Sequence, residues 1–144
     1  MTERPIRRPL FFVRPLHQPL CINSLLSMKN QAFHRRFGFA FQGLRAAWRG
    51  EASFRFQCIA CAAVVGVLIW RRPAPMWWAM LLTMCALVLA AELFNTAFEA
   101  ALDRLHPDHH AAIGIAKDCA AGAVLVMSFA SAAVFCAFVM DNFL

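Results

Sequence analysis

No tyrosine occurs in this chain, and its eight acidic residues are outnumbered by 14 lysines and arginines. The sequence contains neither a P-loop nor the glycine-rich loop of protein kinases, which excludes the common soluble devices for holding nucleotide phosphates. Cys58 and Cys61 form a C-x-x-C pair, but no second ligand pair completes a zinc site. No secretory signal is expected, because the apolar patch at residues 10–13 is shorter than the roughly 7–15 residues of a signal core.

What the chain has in abundance is apolar residues. They make up 61% of its 144 residues, and its mean hydropathy is +0.57, which is too apolar for an ordinary soluble domain. Three runs, at residues 52–70, 76–102 and 113–140, are judged against the roughly 20 residues that a helix needs to cross a bilayer. Arg71, Arg72 and two prolines separate the first two runs and indicate a tight turn. The sequence therefore predicts an all-α integral membrane protein with three transmembrane helices.

The segment before the first run has two parts. Residues 1–27 are rich in proline and arginine without a hydrophobic period, and we expect a disordered extension, with Met28 as an alternative translation start. At residues 29–50, aromatic residues recur at helical spacing opposite arginines. A basic amphipathic helix of this kind is typical of the headgroup plane of a membrane. The sequence therefore predicts a surface helix followed by three spans within a domain at residues 28–144.

Basic residues indicate the orientation of the spans. Most of those near the spans either precede the first run or flank the loop between the second and third, at Arg104 and Lys117. Only Arg71 and Arg72 lie between the first and second runs. This asymmetry places the N-terminus in the cytoplasm and the C-terminus outside.

Polar residues interrupt the end of the second run in a regular way. At about 100° per residue, Glu92, Asn95, Glu99 and Asp103 fall within about 80° of one helical face; we call this set the acidic stripe. A carboxylate in hydrocarbon is costly unless it is paired, bound to metal or hydrated, so it is a functional hypothesis by default. A polar seam that only packs against other helices is the alternative. Four residues in register favour an acidic site.

Further charged residues lie at a similar depth. Glu51 begins the first span, and Lys117 and Asp118 open the third. Carboxylate oxygens suit Mg²⁺, and a lysine beside such an ion at the cytosolic face suits nucleotide phosphates. A carboxylate deeper in the membrane can accept a proton from a lipid hydroxyl. The histidine-rich loop at residues 106–110 could be solvated, could bind metal or could surround an anionic ligand.

The pattern E-x-x-N-[ST]-A-x-E-x-x-x-D, which begins at Glu92, and the A-K-D at residues 116–118 resemble the signature of the prokaryotic diacylglycerol kinase family. Residues 43–55 also resemble that family's surface helix and first-span entry, so the resemblance covers about residues 33–140. It implies a small lipid kinase of the bacterial cytoplasmic membrane that uses ATP and Mg²⁺. It further implies a homotrimer with active sites between protomers, and no nucleic-acid partner.

The resemblance also implies roles for single residues. Glu92 would be the general base on the lipid hydroxyl, with Asn95 beside it, and Glu51 and Glu99 would hold Mg²⁺. The residues implied to contact ATP are Lys117, Asp118, Asp108 and His110. The residues implied to border the lipid are Arg45, Trp48, Phe54, Arg55 and Glu92. The chain departs from the pattern at Ala32, where the better-studied branch has arginine, and at Gln57, where glutamate or histidine is frequent.

The lipid substrate has two candidates. The spelling around Asn95 is closer to the undecaprenol kinase branch, whereas residues 43–48 are closer to the diacylglycerol kinase branch. We expect diacylglycerol, giving phosphatidic acid, with undecaprenol, giving undecaprenyl phosphate, as the alternative. A small proton-coupled transporter with Glu92 as its proton site is a hypothesis of another class, and ATP turnover distinguishes it. A purely structural membrane subunit predicts that Glu92→Gln leaves function intact.

Overall fold

The computed structural model describes residues 33–105 and 111–144, with side chains from residue 36 onward. Its helices are α1 (Phe33–Gly50), α2 (Ala52–Arg71), α3 (Pro75–Leu105) and α4 (Ala111–Phe143). These described residues contain no strand, and α2, α3 and α4 are each long and apolar enough to cross a membrane. The predicted all-α membrane class is confirmed. The expectations for residues 1–27, for Met28 and for the first residues of the surface helix lie outside the described residues.

The long helices extend past the apolar runs that predicted them. α3 continues to Leu105 instead of residue 102, and α4 runs from Ala111 to Phe143 instead of from 113 to 140. Backbone hydrogen bonding does not require apolar side chains, so a membrane helix can continue into the polar interface. At about 1.5 Å per residue, α3 is about 46 Å long, against about 30 Å of hydrocarbon. Asp103 is therefore still helical and stays in register with the rest of the acidic stripe.

One residue separates α1 from α2. Glu51 has extended backbone angles of φ −109° and ψ 119°, and its side chain makes no capping hydrogen bond to α2. Its N–H nevertheless donates to the carbonyl of Ala47 at 2.8 Å, so the bend leaves this N–H satisfied. The Glu51 carboxylate therefore lies at the start of α2 and is not used for capping.

The turn between α2 and α3 is tight, as the sequence predicts. Arg72 adopts the left-handed conformation with φ 48° and ψ 53°, and its N–H donates to the carbonyl of Leu68 at 2.9 Å. Such a left-handed residue commonly ends a helix because it lets the chain leave the helix while satisfying a terminal carbonyl. Pro75 then begins α3, at a position where its missing N–H costs nothing.

Side chains hold this turn against the end of α4. Arg71 donates to the carbonyl of Asn142 and lies over the ring of Phe143, with 4.1 Å from its Cζ to the ring centroid. Trp77 donates from its indole Nε1 to Asp141 Oδ2 at 2.9 Å. The ends of α2 and α4 and the start of α3 are thus joined by hydrogen bonds and a cation–π contact.

The packed core lies at this same end of the bundle. Leu68, Leu81 and Phe138 are almost completely buried and contact one another. The ring of Trp77 meets that of Phe138 edge-on, with centroids 5.5 Å apart. Since Leu81 precedes Glu92 by eleven residues, the core and the acidic stripe lie about 16 Å apart along α3. The apolar core and the polar site therefore occupy different ends of the helices.

Candidate active site

Glu92, on α3, is buried, with only 4% of its surface exposed. Both of its carboxylate oxygens accept hydrogen bonds from α2. Ser53 Oγ donates to Oε1, and Gln57 Nε2 donates to Oε2 at 3.2 Å. Because Ser53 and Gln57 are four residues apart, they share one face of α2 and lie about one helical turn from each other. Neutral donors from a neighbouring helix thus satisfy a carboxylate that is otherwise costly to bury.

The next members of the acidic stripe are also in contact with each other. Asn95 Nδ2 donates to Glu99 Oε1 at 3.3 Å, and both side chains are half-buried. The other end of this amide, Asn95 Oδ1, is buried and has no hydrogen-bond partner among the described residues. A buried oxygen without a partner is unfavourable and points to a ligand or cation that would satisfy it. This part of the stripe therefore has an acceptor to offer.

The upper end of the stripe is joined to α4 by an ion pair. Lys117 Nζ forms a salt bridge with Asp103 Oδ1, and the two side chains are 30% and 67% exposed. Lys117 therefore lies at the upper end of the stripe, where the sequence placed it. Asp118 follows it on α4 and is exposed. A partly exposed lysine beside the carboxylates of the acidic stripe can meet an anionic ligand.

The residues implied to hold Mg²⁺ do not form a ready-made cluster. Within residues 33–105 and 111–144, no group of three or more His, Cys, Asp or Glu side chains is placed to hold a metal ion. Mg²⁺, however, is usually bound by only one or two carboxylates together with substrate phosphates and water. Glu51 and Glu99, both half-buried, and the unpartnered Asn95 Oδ1 supply oxygen donors of the right kind. The donor set fits a Mg²⁺ ion that arrives with its phosphates.

The residues implied to border the lipid differ in exposure. Arg45 is exposed on α1, and Trp48 is 47% exposed. Arg55 on α2 donates from Nη1 to the carbonyl of Trp48 at 3.0 Å, and this contact ties the two helices together across the bend at Glu51. Phe54, in contrast, is only 3% exposed and packs inside. Arg45 and Trp48 are thus open to a ligand, whereas Phe54 is part of the local packing.

A cavity of about 480 Å³ opens beside the Glu92 site. Its walls come from α2, α3 and α4 and are mainly apolar, with Val67, Val88 and Phe135 among them. Gln57 lies in its wall, and the oxygen of that side chain, Oε1, is buried without a partner among the described residues. The same amide thus bonds Glu92 through its nitrogen and borders the cavity. The cavity is of the size range that holds small ligands in other proteins.

Comparison with known proteins adds a family to this geometry. A model of the family described as prokaryotic diacylglycerol kinase matches residues 38–139. The chain belongs to this family. It is similar to the diacylglycerol kinase of Escherichia coli, with 32% identity over 106 residues, which cover 74% of this chain and 87% of that one. It is also similar to the diacylglycerol kinase of Synechocystis, with 33% identity over 134 residues, which cover 92% of this chain and 67% of that relative.

A relative named for another lipid substrate has a similar identity to this chain. The undecaprenol kinase of Bacillus subtilis is 33% identical over 101 residues, which cover 69% of this chain and 80% of that one. The residues that the family model matches, 38–139, include every member of the acidic stripe, Glu51 and the A-K-D of α4. Two residues that the family resemblance implies as nucleotide contacts, Asp108 and His110, lie outside the described residues.

Sequence reasoning missed the partners of Glu92. The family pattern marks Gln57 only as a departure, and it gives Ser53 no role. A signal was nevertheless present: both are polar residues in an otherwise apolar run, four residues apart. A polar face on one membrane helix calls for a polar face on another, because hydrocarbon satisfies neither. Two such faces in one small membrane protein are natural partners.

Proposed function

We propose that this chain is an ATP- and Mg²⁺-dependent lipid kinase that phosphorylates the hydroxyl of a membrane lipid, with diacylglycerol as substrate and phosphatidic acid as product. The observation that carries the proposal is the buried, doubly hydrogen-bonded carboxylate of Glu92. Above it on α3, in the direction of the polar side, lie Asn95, Glu99 and the pair between Asp103 and Lys117. A base at membrane depth below a set of oxygen donors and a lysine suits transfer from a soluble nucleotide to a lipid.

In the reaction, the lipid oxygen forms a bond to the γ-phosphorus of ATP, and the bond from that phosphorus to the β–γ bridging oxygen breaks. The proton of the lipid hydroxyl passes to the Glu92 carboxylate, and ADP carries away the electron pair of the broken bond. Each carboxylate oxygen can accept two hydrogen bonds, so the contacts with Ser53 and Gln57 leave positions for that proton. Burial keeps water from competing with the lipid for the base. Asn95 lies one turn away and orients the reacting groups.

Glu51 and Glu99 are the proposed metal ligands, with Asn95 Oδ1 close to Glu99 through the Asn95–Glu99 hydrogen bond. When bound, Mg²⁺ neutralises negative charge on the phosphates during transfer. Glu99 is already oriented by the amide of Asn95, and Glu51 is not used for capping. Both carboxylates therefore retain oxygen lone pairs for a cation.

Lys117 and Asp118 are the proposed nucleotide contacts on α4, with Asp108 and His110 assisting from the adjoining loop. Lys117 pairs with Asp103, and an ammonium group can bond a carboxylate and a phosphate at once because it has three donors. The partly exposed salt bridge contributes at most about 1 kcal/mol, so weakening it to admit a phosphate costs little. Lys117 is thus suited to meet the phosphates as ATP arrives.

On the lipid side, α1 and the start of α2 are proposed to border the substrate through Arg45, Trp48, Phe54 and Arg55. α1 exposes aromatic side chains, Phe39 at 52% and Phe41 at 73%, which suits the boundary between headgroups and acyl chains. A lipid hydroxyl at that boundary lies at the depth of the α1–α2 bend. Ser53, the second residue of α2, lies next to this bend and contacts the Glu92 carboxylate, so the carboxylate lies close to the same level.

We place the protein in the bacterial cytoplasmic membrane, with three spans, the N-terminus in the cytoplasm and ATP arriving from the cytosol. We also propose a homotrimer with active sites between protomers. Large apolar side chains face outward from the spans, as at Phe94 (72% exposed), Phe129 (68%) and Val126 (66%). Surface of this kind is covered by acyl chains or by neighbouring subunits. This leaves room for both lipid contact and assembly.

Undecaprenol is the second candidate substrate, because the Bacillus subtilis relative carries that name and covers nearly as much of the chain as the Escherichia coli relative does. The deciding experiment offers purified protein ATP, Mg²⁺ and each lipid in the same detergent. Phosphorylation of diacylglycerol at the higher kcat/KM supports the first candidate, and the reverse order supports undecaprenol. Phosphorylation of neither, together with no ATP turnover, would overturn the kinase proposal and leave the proton-coupled transporter with Glu92 as its proton site.

A further inference from the structure

The contacts of Glu92 have a feature that burial alone does not require. Its two oxygens are bonded by two different side chains of one helix, Ser53 to Oε1 and Gln57 to Oε2. The terminal torsion of a glutamate is broad, so a carboxylate with one partner can rotate about its last carbon–carbon bond. Donors on both oxygens, spaced one turn apart on a rigid helix, define the plane of the carboxylate. They therefore define where its remaining lone pairs point.

The choice of donors is also informative. No lysine or arginine among the described residues pairs with Glu92, since the salt bridge there joins Lys117 and Asp103. A cation would compete with an incoming hydroxyl for the carboxylate, because charge-assisted hydrogen bonds are the stronger kind. A hydroxyl and an amide leave the carboxylate able to bind a substrate proton. The donor set thus suits a base more than a structural ion pair.

Gln57 adds a second indication. Its nitrogen reaches Glu92, while its oxygen lies buried at the edge of the cavity and has no hydrogen-bond partner in residues 33–105 and 111–144. A glutamine kept only for packing would have both ends of its amide satisfied. Here the hydrogen bond from Gln57 Nε2 to the carboxylate sets the orientation of the amide, and the amide oxygen makes no hydrogen bond to any described residue. This arrangement is what a residue that orients Glu92 requires.

We infer that Ser53 and Gln57 are positioning residues, which hold the Glu92 carboxylate in the plane from which it takes the proton of the lipid hydroxyl. The inference rests on the proposed role of Glu92 as general base. Neither side chain touches the transferred phosphoryl group in this scheme. Both act through Glu92, so replacing either side chain is expected to slow the chemical step and to leave nucleotide binding nearly unchanged.

The test measures kcat, KM for ATP and KM for the lipid in mixed micelles, using the full chain with Ser53→Ala, Ser53→Thr, Gln57→Leu and Gln57→Asn. Ser53→Ala and Gln57→Leu each lower kcat by about 10- to 100-fold, the range expected of a small misplacement of a catalytic group. KM for ATP changes by no more than about twofold. Ser53→Thr keeps the hydroxyl and restores most of kcat. Gln57→Asn keeps the amide but is one methylene too short, so its kcat falls as in Gln57→Leu.

Two controls accompany these variants. Cys58→Ala changes the neighbour of Gln57 on α2 without removing a Glu92 contact, and it should retain kcat. Glu92→Gln is measured in the same preparation and thermal unfolding is recorded for all variants. If Gln57→Leu unfolds, Gln57→Asn and Ser53→Thr still test the inference, because both retain a polar side chain. A lowered kcat in Gln57→Asn beside a nearly parental kcat in Ser53→Thr supports the positioning role.

The outcomes separate the inference from the proposal on which it rests. An active Glu92→Gln variant would show that Glu92 is not the general base and would overturn both claims. An inactive Glu92→Gln variant beside wild-type kcat in folded Ser53→Ala and Gln57→Leu would overturn only the positioning role. A loss confined to KM for the lipid would likewise overturn it, because it would make these residues binding contacts.

Discussion

Replacing Glu92 by glutamine changes the charge of the site while preserving its shape and most of its hydrogen bonds. The new side chain keeps an oxygen that can accept from Ser53, as Glu92 Oε1 does. The nitrogen of the new glutamine would face Gln57 Nε2, but the Gln57 amide can turn over. Gln57 Oε1, which has no partner among the residues that the structure describes, then accepts that hydrogen bond. The variant should therefore fold as stably as the parent, since it also removes a buried charge.

Catalysis is expected to fail in this well-folded variant. An amide cannot take a proton at neutral pH, and general base catalysis contributes typically about 100- to 10,000-fold to a rate. This corresponds to about 2.7–5.4 kcal/mol of transition-state stabilisation, at about 1.36 kcal/mol for each factor of ten. The assay follows transfer of the γ-phosphoryl group to lipid at saturating ATP and lipid, alongside thermal unfolding in the same detergent.

The matched control is Asp141→Asn, the same acid-to-amide change at the opposite end of the bundle. Its oxygen can still accept from Trp77 Nε1, so both kcat and stability should remain near those of the parent. The reasoning would be refuted if the Glu92→Gln variant kept more than about a tenth of the parental kcat. It would also be weakened at its structural step if that variant unfolded while Asp141→Asn did not.

Three further predictions follow from the structure. Leu81→Ala should lower the free energy of unfolding by about 2–5 kcal/mol, because Leu81 is buried against Leu68 and Phe138. In the same denaturation assay, Leu82→Ala should lower it clearly less, because Leu82 is 42% exposed. Glu99→Gln should raise the Mg²⁺ concentration for half-maximal activity by about tenfold or more, and an unchanged Mg²⁺ titration would contradict its role as a ligand. Lys117→Ala should raise KM for ATP with less than about 1 kcal/mol change in stability, because its salt bridge with Asp103 is partly exposed; an unchanged KM would remove Lys117 from the nucleotide site.

Much of the fold was predictable because it depends on local properties of the chain. The apolar runs indicated α2, α3 and α4, and the basic Pro-containing segment indicated the turn at Arg72. The helices α3 and α4 are longer than the predicted apolar spans, since hydropathy measures how long a segment is apolar and not how long it is helical. The boundary between residues 50 and 51 was predicted from the end of the amphipathic pattern, but the extended backbone of Glu51 was not.

The acidic stripe itself was a property of the sequence, because the angle between residues of one helix follows from their spacing. The position of Lys117 near the top of the stripe was also predictable from its place at the start of the third span. The hydrogen bonds of Glu92 to Ser53 and Gln57 were not. They depend on how far α2 is rotated and shifted relative to α3, and many weak side-chain contacts along both helices determine that.

The sequence alone therefore determined which segments are helical, which can cross a membrane and which polar residues share a face, because helical periodicity and hydropathy are local. Only the tertiary structure decided that Glu92 is satisfied by neutral donors, that Asn95 Oδ1 and Gln57 Oε1 have no hydrogen-bond partner within the part of the chain that the structure describes, and that a cavity opens with Gln57 in its wall. Each of these depends on the register between helices that are distant in the chain. That register results from the packing of the whole bundle and from no single segment of it.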